Sequence, residues 1–85
     1  MTKNQITNML NRFGVNNLLK IFIDNERNYY FNYNDYVNNR VKFDDINEVL
    51  IIKEKIRDTN VISIIDYNDI QTLIFKDLNP EQPLT

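Results

Sequence analysis

The chain has no cysteine and no histidine among its 85 residues. Without cysteine it cannot form disulfides or thiolate metal sites. Without histidine it lacks the commonest general base and the usual ligand of zinc and iron. An enzyme built from this chain would depend on Asp, Glu, Tyr and Lys. The composition therefore favours a protein that binds rather than catalyses, with no cofactor and no metal.

Long apolar runs are also missing, since the longest one extends only from Val49 to Ile52. A membrane-spanning helix needs about 20 apolar residues. The first residues do not combine a basic segment with an apolar stretch, as a secretory signal does. We therefore expect a cytoplasmic protein that makes no membrane contact.

The charge is nearly balanced, with 10 basic and 12 acidic side chains. Nucleic-acid-binding domains usually carry a basic excess, so a protein is the favoured partner and a nucleic acid the less favoured one. A homo-oligomer would also suit so small a domain, because association enlarges its buried surface.

Asn and Ile, both encoded by A/T-rich codons, are abundant. With the small size, this skew leads us to expect a phage or mobile-element accessory factor that binds, and in one version inhibits, a host or defence protein.

The pattern of apolar residues predicts one helix near the start of the chain, over residues 3–12. Thr2 or Asn4 can cap its first turn, and Gly14, the only glycine, follows its last turn. The apolar residues recur at helical spacing: Ile6, Met9, Leu10 and Phe13.

Short β-branched or aromatic runs predict the strands, at residues 18–23, 29–33 and 41–43. Residues 61–76 contain two further apolar runs separated by polar residues, which predicts a hairpin with a tight corner. Residues 46–56 are ambiguous. The cluster Val49 to Ile52 favours a buried strand, whereas the Asp residues before it also suit a helix N-terminus.

These segments predict a single α+β domain over residues 1–78. Its N-terminal helix precedes an antiparallel sheet of about five strands, with closure into a small barrel as one version of that fold. Residues 79–85 contain two prolines and no periodicity, so we expect a flexible tail there.

The most unusual composition lies between residues 29 and 36, where five of eight side chains are aromatic and asparagines alternate with them. One interpretation is a strand face packed on the core. The other is an exposed surface that binds a protein, because tyrosine offers a large contact area at low entropic cost. The candidate partner-binding residues are Tyr29, Tyr30, Tyr33, Asn34, Tyr36 and Asn38.

Two segments of the second half resemble the conserved segments of Sm-like small barrels. Residues 43–51, Phe-Asp-Asp-Ile-Asn-Glu-Val-Leu-Ile, are similar to the first Sm segment, in which Asp and Asn precede an apolar strand. Residues 65–70, Ile-Asp-Tyr-Asn-Asp-Ile, are similar in spacing to the second. The resemblance implies an oligomeric barrel that binds RNA or a nucleotide. The residues it implicates, with nearby cations, are Asp44, Asn47, Tyr67, Asn68, Arg40 and Lys42.

The chain departs from the family pattern at the positions that would grip RNA. Asp66 stands where the family has Arg or Lys, and Tyr67 where it has Gly. A carboxylate repels the phosphate that a cation would bind, so we do not expect the resemblance to extend to the RNA-binding site. A third hypothesis, a Mg²⁺-dependent enzyme using Asp44, Asp45 and Glu48, lacks the ligand spacing of a known metal motif.

Overall fold

A computed structural model describes residues 1–24, 26–79 and 81. Besides two short 3₁₀ turns, these residues form two α-helices and six strands: α1 (Lys3–Phe13), β1 (Leu18–Phe22), β2 (Asn28–Tyr30), α2 (Tyr33–Val37), β3 (Val41–Asp44), β4 (Val49–Ile56), β5 (Thr59–Asp66) and β6 (Thr72–Phe75). The predicted α+β class is confirmed. None of the described helices has the length and apolar character that crossing a membrane requires.

The strands form two antiparallel sheets of three, in the orders β2-β1-β6 and β3-β4-β5. One sheet of about five strands was expected, and the barrel version is wrong because the two sheets do not close on each other. Side chains from both sheets and from α1 meet in one buried cluster. Its members are Ile6, Leu18, Ile21, Ile23, Leu50, Ile52, Ile65, Tyr67 and Ile70.

Helix α1 confirms the local sequence signals. The hydroxyl of Thr2 accepts a hydrogen bond from the Gln5 amide (3.2 Å), and the Gln5 side chain accepts one from the Thr2 amide (2.9 Å). This reciprocal pair caps the helix. The helix ends at Gly14, where φ is +85° and the amide donates to the Leu10 carbonyl at 2.9 Å. Any other residue at this position would have a strained backbone, and its Cβ atom would lie 2.9 Å from the Asn16 side-chain oxygen.

The strand predicted over residues 29–33 is confirmed for Tyr29 and Tyr30 and wrong for residues 31–33. Pairing along β2 ends when the Phe31 amide donates to the Leu19 carbonyl. The Asn32 side chain then accepts from the Asn34 amide at 2.9 Å and begins α2. An Asn side chain that bonds to the backbone two residues later starts a helix more readily than it continues a strand. Consequently Tyr33 does not share a strand face with Tyr29 and Phe31.

Residues 46–56 contain strand β4, so the strand interpretation is confirmed for residues 49–56 and the helix alternative is wrong. The Asp44 carboxylate accepts hydrogen bonds from the amides of Ile46 and Asn47 (3.1 and 3.2 Å), which turns the chain before β4 begins. Arg57 and Asp58, both with positive φ, then turn β4 into β5.

The two strands of residues 61–76 do not form the predicted hairpin. β5 pairs with β4 along its whole length, and β6 pairs with β1 in the other sheet. Between them the Asp66 carboxylate accepts from the Asn68 amide at 2.8 Å and starts a 3₁₀ turn over Tyr67–Asp69. Tyr67 is buried there, so the corner carries the chain from one sheet to the other. Most of the tail, namely Pro80 and residues 82–85, lies outside the described residues.

Candidate protein-binding surface

Tyr30 is the most exposed aromatic ring among the described residues, with 81% of its surface accessible. It lies on β2, one of the two outer strands of its sheet, opposite Lys20 of β1. Because neighbours along a strand point to opposite faces, Tyr29 turns inward and packs against the core while Tyr30 turns outward. The fold gains almost nothing from burying the Tyr30 ring, so packing does not explain a tyrosine at this position.

A cation–π contact with Lys20 favours one orientation of the Tyr30 ring. Its ammonium nitrogen lies 4.7 Å from the centre of the Tyr30 ring and 4.5 Å from the centre of the Phe22 ring. A cation over an exposed ring contributes about 0.5–1 kcal/mol. Tyr30 therefore presents a preoriented aromatic face to solvent.

Helix α2 adds a second pair of tyrosines. The rings of Tyr33 and Tyr36 stack with their centres 6.0 Å apart and an interplanar angle of 22°. Tyr33 and the side chains of Asn34 and Asn38 are exposed, whereas Tyr36 is half-buried. The side-chain amides of Asn34 and Asn38 make no hydrogen bond to other described residues, so their donors and acceptors are available to a partner.

A chain of aromatic contacts ties this surface to the core. The ring of Tyr36 lies 6.1 Å from that of Phe31, which lies 6.4 Å from Phe43, which in turn lies 6.5 Å from Tyr67. Contacts of this length are favourable between aromatic rings. Of the six predicted residues, Tyr30, Tyr33, Asn34 and Asn38 are exposed, and we call these four the tyrosine patch. Tyr29 packs against the core, and the half-buried Tyr36 stacks on Tyr33.

A groove of about 430 Å³ adjoins the tyrosine patch. One wall is formed by residues 28–31 and the other by Lys53, Glu54 and Lys55 of β4. Arg40 and Asp35 also line it, with an Arg40 nitrogen 3.8 Å from an Asp35 carboxylate oxygen. The groove therefore combines tyrosine rings with charges of both signs.

The residues implicated by the Sm-like resemblance separate into two places. Asp44, Asn47, Tyr67 and Asn68 lie at one end of β4, where the side-chain nitrogen of Asn47 donates to the Asp44 carboxylate at 2.9 Å. Arg40 lies at the other end of β3 and takes part in the groove. Lys42 lies between them on the exposed side of β3. The structure does not bring these six residues into one site.

The loop end of β4 is acidic, and its carboxylates already have partners in the chain. Hydrogen bonds from Asn47 lower the pKa of Asp44 below its usual value. Burial raises the pKa of Tyr67, and its hydroxyl donates to the Asp45 carboxylate at 2.7 Å. The Asn47–Asp44 bonds close the loop before β4, and the Tyr67–Asp45 bond joins that loop to the 3₁₀ turn after β5, so both serve the fold. Within the described part of the chain, no three acidic side chains converge as metal ligands would.

Sequence reasoning missed Lys20, Lys53 and Lys55, which contact the patch or line its groove. Lys20 reaches Tyr30 because β1 pairs with β2. Lys53 and Lys55, both on β4, belong to the other sheet, and they line the groove where residues of the two sheets meet. Comparisons with protein-family models, with curated proteins and with solved structures gave no significant match to this chain.

Proposed function

We propose that this protein is a small non-enzymatic interaction protein that binds another protein through the tyrosine patch and its groove. The observation that carries the proposal is Tyr30, a residue that is 81% exposed and whose ring orientation is favoured by the Lys20 ammonium 4.7 Å from its centre. Tyrosine is enriched among the residues that dominate protein interfaces. A ring that is both exposed and preoriented loses little entropy on binding.

The charges of the groove favour a protein over a nucleic acid. Arg40, Lys53 and Lys55 supply three cations, and Asp35 and Glu54 supply two carboxylates. Both carboxylates would repel a phosphate backbone, which is recognised mainly through cations. A polypeptide segment carries charges of both signs and can pair with both.

The exposed amides of α2 complete a surface of mixed chemistry. Asn34 and Asn38 can each donate to and accept from a partner's backbone, beside the ring of Tyr33. Rigid aromatic side chains next to adaptable polar ones are typical of surfaces that recognise proteins. The patch therefore combines anchoring area with hydrogen-bonding specificity.

Affinity capture with single-residue variants tests the proposal. The tagged protein is incubated with lysate of its source cells, and the retained proteins are identified and titrated against purified protein. Tyr30→Ala should weaken binding of the retained partner about 30-fold or more, as expected for a tyrosine that anchors an interface. Tyr33→Ala should weaken it less, because part of its ring already packs on Tyr36.

Ile46→Ala is the matched control, since Ile46 is an exposed apolar residue in the acidic loop, outside the tyrosine patch. It should leave the affinity unchanged. Tyr36→Ala is less informative because removal of a half-buried ring also loosens α2. If both Tyr30→Ala and Tyr33→Ala bind the partner normally, the proposed surface is wrong. Salt-sensitive binding of single-stranded RNA that is lost on replacing Arg40 would instead favour the nucleic-acid alternative.

A further inference from the structure

Strand β5 forms an open edge of its sheet. Among the described strands it pairs only with β4. It is eight residues long and contains no proline, lysine or arginine, the residues with which proteins usually protect an edge. Ile62 and Ile64 are both exposed on this strand, with 67% of Ile64 accessible. A long apolar edge of this kind pairs readily with another strand.

The register shows which backbone groups face outward. The Tyr67 amide donates to the Glu48 carbonyl at 2.9 Å, and the Lys53 amide donates to the Arg40 carbonyl at 2.7 Å. Bonded residues alternate along an antiparallel ladder. The odd-numbered residues of β5 therefore bond to β4, whereas Asn60, Ile62 and Ile64 direct their amides and carbonyls to the open edge.

Charges on the same face of the sheet change sign from one end to the other. Asp44 and Asp66 lie in register on either side of Val49, at the loop end of β4. Lys53 and Lys55 lie on the same face near the turn that joins β4 to β5, and Ile62 and Ile64 lie between the two ends. An antiparallel arrangement of two such edges places the basic end of each beside the acidic end of the other.

We propose that two copies of this chain associate through their β5 edges around a two-fold axis at Ser63. In this register Ile62 of one copy lies opposite Ile64 of the other, and Asn60 lies opposite Asp66. The Lys55 side chain is then in the same row as the second copy's Asp66. Four residue pairs contribute about eight backbone hydrogen bonds. The β3-β4-β5 sheets of the two copies then form one sheet of six strands.

Tyr30 lies in the other sheet, and Tyr33, Asn34 and Asn38 lie on or next to α2, so the tyrosine patch stays exposed in this dimer. Lys55 also lines the groove, but the backbone pairing of β5 does not involve the tyrosine patch, and either proposal can fail alone. The contact is a single strand edge, smaller than a standard protein interface of about 1,600 Å². We expect reversible association in the micromolar range rather than an obligate dimer.

Sedimentation equilibrium of the purified full chain, from about 1 μM to 1 mM, tests the proposal. The mass should rise with concentration from 10.2 kDa towards twice that value. Ile64→Lys should weaken association at least 10-fold, because it places a charge in the centre of the contact. Ile46→Lys, the same change at an exposed site in the loop before β4, should not alter it.

Two further variants test the arrangement. Lys55→Glu should weaken association about 3- to 10-fold, whereas Lys3→Glu, the same charge change on α1, should have no effect. Ile74→Lys on β6, the other sheet's outer strand, should leave the dimer intact. A monomer at every concentration overturns the proposal, as does unchanged association of Ile64→Lys. A larger assembly that Ile74→Lys disrupts also overturns it, since it would show pairing between β5 and β6.

Discussion

The hairpin of β4 and β5 contains two regions with the same backbone pairing and opposite surroundings. In the proximal region, residues 49–52 and 63–66, Leu50, Ile52 and Ile65 are buried. In the distal region, residues 53–62, every residue except the half-buried Val61 is exposed. The ladder runs without interruption through both. Strand pairing alone therefore does not determine which residues of the hairpin are buried.

The difference shows what each region contributes. Burial of an Ile or Leu side chain stabilises by about 1.5–3 kcal/mol, so the proximal region joins the hairpin to the core. The distal region gains only ladder hydrogen bonds, each worth about 1 kcal/mol net. It presents Lys53 and Lys55 to the groove and Ile62 to the open edge. We infer that the proximal region holds the fold, while the distal region supplies the β4 side of the groove and part of the open edge, which continues to Ile64.

The largest expected effect comes from one substitution made in each region. Ile52 and Ile56 lie on the same face of β4, and their accessible fractions are 5% and 51%. Ile52→Ala should lower the free energy of unfolding by about 3 kcal/mol, because it removes buried contacts and leaves a cavity. Ile56→Ala should lower it by less than about 1 kcal/mol. Urea denaturation of both variants measures the difference. Equal losses would contradict the division into two regions.

The second effect concerns the bond that fixes the proximal end. Tyr67→Phe removes the hydrogen bond from the buried hydroxyl to Asp45 and should cost about 1–2 kcal/mol at pH 7. The reference variant is Tyr33→Phe, which removes an exposed hydroxyl and should cost almost nothing. Urea midpoints of the two variants give the comparison. A loss for Tyr67→Phe no larger than that for Tyr33→Phe would show that the loop is held by packing alone.

The same hydroxyl predicts a pH dependence. Burial and the neighbouring Asp45 raise the pKa of Tyr67 above its ordinary value of 10.0. The folded protein then keeps this proton at pH values where the unfolded chain loses it, so the contribution is complete below about pH 10 and decreases above it. Tyr67→Phe lacks this group and should lose less stability between pH 9 and 11 than the wild type. Parallel curves from thermal unfolding over that range would contradict the assignment.

Local signals allowed α1 and the existence of β4 to be predicted. The Thr2–Gln5 cap and the lone Gly14 lie within a few residues of the helix that they bound, and a run of β-branched residues is itself a strand signal. The end of β2 was predictable in principle. Asn32 lies two residues before Asn34, a spacing that suits a side-chain cap, but the alternating aromatics favoured a longer strand.

Non-local pairing could not be predicted in the same way. β5 pairs with β4 locally, across the two-residue turn at Arg57 and Asp58. Nothing in residues 61–76 indicates that β6 joins β1 instead of β5, since β1 lies far away along the chain. The six partner-binding residues were named as one surface, but the structure turns Tyr29 and Tyr36 towards the interior. Which tyrosines are exposed depends on which residues of β2 face outward and on the residue at which α2 begins. These two features determine the composition of the tyrosine patch.

The smallest expected effect concerns the distal turn. Arg57 and Asp58 have φ values of 49° and 63°, a conformation that Asn-Gly adopts with less strain in a two-residue hairpin turn. The double change Arg57→Asn and Asp58→Gly should raise the free energy of unfolding by about 1 kcal/mol. Thr59→Gly, the same residue introduced one position into the strand, should lower it instead. Urea midpoints for the two variants therefore move in opposite directions.

Hydrogen exchange can locate this gain within the hairpin. The distal region can open without disturbing the core. We therefore expect the amides of the distal region to exchange through local opening, whereas those of Leu50 and Ile52 exchange only through global unfolding. Relief of strain at residues 57 and 58 should therefore slow exchange at Glu54 and Ile56 as much as at Leu50. If Glu54 and Ile56 are already as strongly protected as Leu50 in the wild type, the distal region does not open separately. The two regions of the hairpin would then be a single cooperative unit.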